Sequence, residues 1–174
     1  MHTVRLMFLL LALSWFTGCD SSTPPAPPTL AQAFTPPAEP THAQPKLSTI
    51  KLFIGAETLE AEQALTEEQE MTGMMYRTNI QDADSMIFVM PVPQQASFWM
   101  KNCPESISAA YITADGVIQE IHHLEKNDTN AVLSAQSNIQ YVLETSDGWF
   151  DRHHVTPGMA ITTERGSLSH TYFP

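Results

Sequence analysis

The stretch from Ile107 to His122, ISAAYITADGVIQEIH, decides the fold class. Ile107 to Thr113 is an apolar, β-prone run. Ala114-Asp115-Gly116 follows as a tight turn, and Val117 to His122 alternates again. Two such runs joined by a turn containing Asp-Gly predict an antiparallel hairpin. Working outward, the same period marks strands at Thr49 to Ile54, Glu57 to Ala64, Ser85 to Met90, Ser97 to Met100, Ile139 to Thr145 and Met159 to Thr163. Helical signals are few. Thr66-Glu67-Glu68-Gln69 is a capping box, in which Thr66 caps the helix and Gln69 reaches back. It opens a helix expected to carry Met71, Met74 and Met75 on one face. A second short helix is expected over Trp149 to His153. The fold class is therefore α+β: a mostly antiparallel curled sheet or half-barrel with two short helices.

The N-terminal third is a different kind of chain. Arg5 precedes an apolar run from Leu6 to Phe16, too short to span a bilayer. Residues 1–18 therefore read as a signal peptide. Phe16-Thr17-Gly18-Cys19 resembles the lipobox of bacterial lipoproteins, which implies that Cys19 takes a lipid after cleavage. Asp20 behind it resembles the signal that retains lipoproteins in the inner membrane. Eight of the thirteen prolines fall between Asp20 and Lys46, among Ala, Thr and Ser. Such a segment cannot order itself around a core. Residues 19–47 are thus expected to be a lipid-anchored tether reaching up to about 80 Å at about 3 Å per residue, with one folded domain over 48–174. The expected location is the membrane surface facing the periplasm.

Charge bounds the partners. The 174 residues carry a formal net charge of −11, with only eight Lys and Arg in total. Phosphate neutralisation needs clustered cations, so nucleic acid is not expected as a partner. Without Cys19, Cys103 is the single thiol of the mature chain, and no internal disulfide forms.

Five blocks carry a family resemblance: Met74-Met75-Tyr76-Arg77, Met86 to Met90, Phe98-Trp99-Met100-Lys101-Asn102, Ala114-Asp115-Gly116, and Tyr141 to Glu144 before Gly148-Trp149. In order and spacing the chain resembles DUF192, also known as UPF0127, a domain of unknown function. The resemblance covers about Ile50 to Thr162 and implies a compact β-rich fold without an assigned reaction. The chain departs from the family pattern at Cys103, Ser106, Ser108 and His154, where the family has Thr, Pro, Asp and Gly.

Candidate ligand-binding residues are Arg77, Trp99, Lys101, Asn102, Asp115 and Glu144. In a strand Trp99 and Lys101 point the same way, offering a stacking surface and a cation beside the Asn102 amide. Arg77 is expected to join them or to pair with Glu144 or Asp115. These cations favour a ligand with a carboxylate or polar sugar groups. No catalytic set is evident, so an accessory module binding an envelope glycan, peptide or protein is the leading expectation, with no cofactor and no metal. A hydrolase or transferase using Cys103 or Lys101 with His122, His123, His153 or His154 is the alternative. Copper(I) held by Met71, Met74, Met75 and Met100 is the third.

Overall fold

A computed structural model describes residues 38–174. The expected signal at 1–18, the lipidation site Cys19 and most of the tether lie outside the described residues. The last part of the expected tether does not behave as a spacer. Gln44 Nε2 donates to the carbonyls of Gln69 and Gly73 at 3.1 and 2.9 Å, and the Leu47 N–H donates to Glu62 at 2.7 Å. Residues 38–47 thus form a strap held on the domain by hydrogen bonds that composition alone does not reveal.

The elements run β1 (Thr49–Ile54), β2 (Glu57–Ala64), α1 (Glu67–Thr72), β3 (Ser85–Gln94), β4 (Ser97–Phe98), β5 (Ile107–Thr113), β6 (Ile118–Leu124), β7 (Val132–Leu133), β8 (Ile139–Ser146), α2 (Trp149–Arg152), β9 (Ile161–Thr163), β10 (Gly166–Ser167) and α3 (Leu168–Tyr172). Eight strands form one sheet in the order β10-β9-β1-β2-β3-β8-β5-β6, while β4 and β7 pair separately. Every neighbouring pair in the large sheet is antiparallel except β2 and β3. A parallel pair needs a long crossover, and that crossover carries α1. Val117 bridges to Ala160, tying the start of β6 to the approach of β9 and curling the row into a half-barrel.

The expected hairpin is present as β5 and β6, with a register shift between Tyr111 and Ile112. Alternation along each strand separates two apolar clusters. One contains Leu52, Ile87, Ala110, Leu143, Trp149 and Ile161. The other contains Met86, Phe88, Met90, Ala109, Tyr111 and Val142, covered by Met74, Met75, Met100 and Cys103.

Besides shifted boundaries of β3, α2 and β9 and the short strands β7 and β10, three details differ from the sequence reading. The helix opened by Thr66 stops at Thr72, because Gly73 turns to φ +46° and a side chain there would press on the Phe88 ring at 3.2 Å. Met74 and Met75 therefore lie beyond the helix. Strand β4 ends at Phe98 rather than Met100, since the Met100 N–H donates to the Asp128 carbonyl and the chain turns at Asn102, φ +60°. A third helix, α3, is capped by Ser167, whose Oγ accepts the His170 N–H. His154 also takes positive φ, at +53°.

Candidate functional site

The capping box fixes where α1 begins, and Gly73 fixes where it ends. Beyond Gly73, Tyr76 and Asn102 both adopt the left-handed conformation, and the Tyr76 N–H donates to the Asn102 carbonyl at 2.8 Å. This clasp holds the methionine-bearing loop beside the Phe98 to Asn102 segment. Between them and the sheet lies a cavity of about 380 Å³, a size typical of small-molecule sites. Met71, Met74, Met75 and Met90 form much of its wall. Phe88 and Phe98, in edge contact at 5.1 Å, form another part. Trp99, 47% exposed, borders it with Gln94, Gln95 and Ser97, all facing solvent.

Glu144 also borders this cavity, from the middle of the sheet. It sits on β8 opposite Met86 of β3 and Ala109 of β5, and is 4% exposed. Its Oε2 is buried and has no hydrogen-bond partner. Burial pushes its pKa up to about 8, against an opposing pull from the Arg77 charge. Its neighbours respond in kind. Burial, then the Glu144 charge, pushes the Cys103 thiol up to about 12 and raises Tyr111. Glu70, on the cavity wall, is raised by burial and then by Glu67. At neutral pH the cavity therefore presents a protonated carboxyl and a neutral thiol, with no Lys, Arg or His on its lining.

The sequence model of one family, DUF192, described as "Uncharacterized ACR", matches residues 50–163. The chain belongs to the DUF192 family. No curated protein matches it. Among solved structures, it is similar to a Sinorhizobium meliloti protein described as a candidate transcription regulator. Identity is 24% and the TM-score 0.65, over 70% of this chain and 98% of that one. It is also similar to a Novosphingobium aromaticivorans protein of unknown function, with 25% identity and a TM-score of 0.64, over 78% of this chain and 98% of the other. These likenesses support the fold and carry no activity with them.

Within this DUF192 domain the six expected ligand residues do not form one cleft. Lys101 Nζ sits 5.5 Å from the centre of the exposed Trp99 ring, as expected, and pairs with Glu39 of the strap at 2.6 Å. Asn102 spends its carbonyl on Tyr76, and its amide approaches the Met75 sulfur at 4.0 Å. Arg77 departs from expectation. It forks onto Glu62 at 2.6 and 2.9 Å, and neither Glu144 nor Asp115 bonds to it among the described residues. Glu62 was missed because the β2 pattern places a charged residue there without saying that it faces inward. Asp115 is exposed in the hairpin turn and borders no part of the cavity. Of the six, Trp99 and Glu144 line the cavity.

The other expected chemistries fare unequally. Among the described residues no histidine bonds to Cys103. His122 pairs with Glu120, His123 with Asp147 and Glu125, and His153 with Glu57. Three of the four methionines proposed for copper(I) line the cavity, with Met90 in place of Met100. The Cys103 thiol beside them is held protonated, so it offers a metal little thiolate.

Proposed function

We propose that this DUF192 domain is a non-enzymatic binding module of the cell envelope, and that its ligand enters the cavity bordered by Trp99 and Glu144. One observation carries the reading: a buried carboxyl with an unpartnered oxygen borders a preformed cavity with methionine and phenylalanine in its wall. Leaving such a group unsatisfied costs about 1–3 kcal/mol, a cost that a bound ligand would relieve. The partner is an envelope compound, a glycan or peptide fragment or a group presented by a protein. Native mass spectrometry of the full-length protein isolated from its own membranes should find a retained small molecule. Ser97→Trp, which fills the entrance from an exposed position, should lose it while keeping its melting temperature. Identical, ligand-free masses for both proteins would end this reading.

The display arrangement is part of the same proposal. The chain is exported, cleaved and lipidated at Cys19, and held to the inner membrane facing the periplasm. Its support is the Phe16 to Asp20 string and the proline-rich segment after it. Lipid chains contribute about 0.8 kcal/mol per buried methylene, and two or more give stable attachment. Cys19→Ala is expected to move the protein to the soluble fraction or stall its processing. Full membrane retention of a normally cleaved Cys19→Ala protein would rule lipid anchoring out.

A further inference from the structure

We propose that the cavity takes a small organic cation, an alkylammonium group on an apolar stem. This rests on the cavity being the ligand site and names the class of ligand. The sequence pointed the other way, to an anionic or sugar ligand, because Arg77 and Lys101 were expected to meet in one cleft. Neither lines the cavity. Arg77 is spent on Glu62, and Lys101 on Glu39.

What does line it suits a cation with a hydrocarbon body. Two carboxyl groups, Glu144 and Glu70, border the space. The thioethers of Met71, Met74, Met75 and Met90 adapt to an aliphatic stem without a fixed shape. Phe98 and Trp99, aromatic rings of the kind that attract ammonium groups, also line the cavity. The Trp99 ring already holds one cation, Lys101. Glu39 at 2.6 Å offsets that charge, so Lys101 does not close the mouth to a second cation.

Binding has a proton balance. Glu144 gives up its proton to the buffer, and its carboxylate accepts hydrogen bonds from the ammonium N–H groups, the ligand remaining charged throughout. The titratable groups that face Glu144 are Arg77 from the crossover, Cys103, Tyr111 on β5, and Glu70 across the cavity. Cys103 and Tyr111 are raised well above neutral, and the guanidinium of Arg77 stays charged, so none of these three releases a proton near pH 7. Glu70 remains as a second source, and Glu70→Gln separates it.

Isothermal titration of the full-length protein in buffers of differing ionisation heat provides the test. The probes are n-butylammonium, tetramethylammonium, neutral n-butanol and anionic butyrate. The expected result is n-butylammonium binding at Kd on the order of millimolar, within the ceiling for so few atoms, with tetramethylammonium, which has no N–H to donate and no stem, binding more weakly. Close to one proton should be released per ligand at pH 7. Affinity should rise by about tenfold per pH unit from pH 5.5 to 7, then level off above pH 8, as follows from a carboxyl that must ionise first. Glu144→Gln should weaken ammonium binding at least tenfold and abolish both proton release and pH dependence, whereas Glu70→Gln, which removes one lining carboxyl, should weaken binding less and still release the proton. Two arms separate the sources of such a group. Free n-butylammonium represents a small amine, and a short peptide blocked at both ends, with one lysine as its only charge, represents an ammonium carried on a chain; the tighter binder names the source. Butanol or butyrate binding as well as the ammonium probes would overturn the assignment, as would ammonium binding that Glu144→Gln leaves intact. If no ammonium probe binds but the compound retained from native membranes is still lost on Ser97→Trp, the cation is wrong and the binding function stands.

Discussion

Arg77→Ala is expected to destabilise the domain by about 3–5 kcal/mol, the range for removing one partner of a buried ion pair. Arg77 and Glu62 have side chains only 13% and 6% exposed, and the two terminal guanidinium nitrogens each donate to one carboxylate oxygen. Burial alone would raise the Glu62 pKa. Hydrogen bonds from the Arg77 guanidinium and from the Leu47 N–H outweigh it and hold the carboxyl below its ordinary value. A carboxyl with a depressed folded pKa contributes stability above its unfolded value near 4.5 and loses it as pH falls through the folded one. Removing Arg77 should therefore cost most at pH 7 and progressively less as pH falls below 4.5 and through the depressed folded pKa of Glu62. Urea unfolding should show a lower midpoint at unchanged slope. Replacing both partners, as Arg77→Met with Glu62→Leu, should recover most of the loss, since apolar pairs of similar volume substitute well. A single variant that melts with the wild type at pH 7 would mean that the pair contributes little.

The pair also explains why the expected cleft did not form. The string Phe98-Trp99-Met100-Lys101-Asn102 does put a cation beside an exposed indole, but both lie past the end of β4, in the turn at Asn102, rather than on one face of a strand. Arg77 lies in a crossover between β2 and β3, and no local pattern states which strand a crossover residue will meet. The hairpin at Asp115, the capping box at Thr66 and the β8 run were legible because each is a local pattern. Three things were not. The parallel pairing of β2 with β3 is nonlocal. The hold of Gln44 on the end of α1 depends on a helix terminus formed elsewhere in the chain. The burial of Glu144 depends on two neighbouring strands, and a strand pattern read alone allows an acid there to face solvent. Met74 and Met75 were read onto a helix because their spacing from Met71 fits its period. A positive-φ Gly73 overrides that period and turns them into the roof of the cavity.

Glu144→Gln is expected to be more stable than the wild type at pH 8 and equal to it or less stable at pH 4. The sign follows from a folded pKa of about 8 against an unfolded value of 4.5. Below pH 4.5 both states carry the proton, and the acid exerts no pH-dependent penalty. As pH rises through that interval the unfolded chain ionises and gains hydration, while the folded domain keeps a neutral acid. Stability falls accordingly, by up to about 5 kcal/mol at 1.36 kcal/mol per unit. Glutamine has the same shape and does not titrate, so the difference between the two proteins isolates this one group. Its amide has its own cost of about 1–3 kcal/mol if unpartnered, but that cost is the same at every pH. Urea midpoints at pH 4, 6 and 8 should diverge steadily, and parallel curves would show that Glu144 is not held neutral. The contrast with Glu62 gives the result its meaning. Both are acids on strands of one sheet, each at 4% exposure. Glu62 is matched by a bidentate arginine and a backbone N–H, whereas Glu144 has an oxygen that nothing in the domain satisfies. A group that lowers stability across the neutral range and faces a cavity is the kind that function retains at the expense of folding. The substitution that raises the unfolding midpoint should therefore be the one that empties the site.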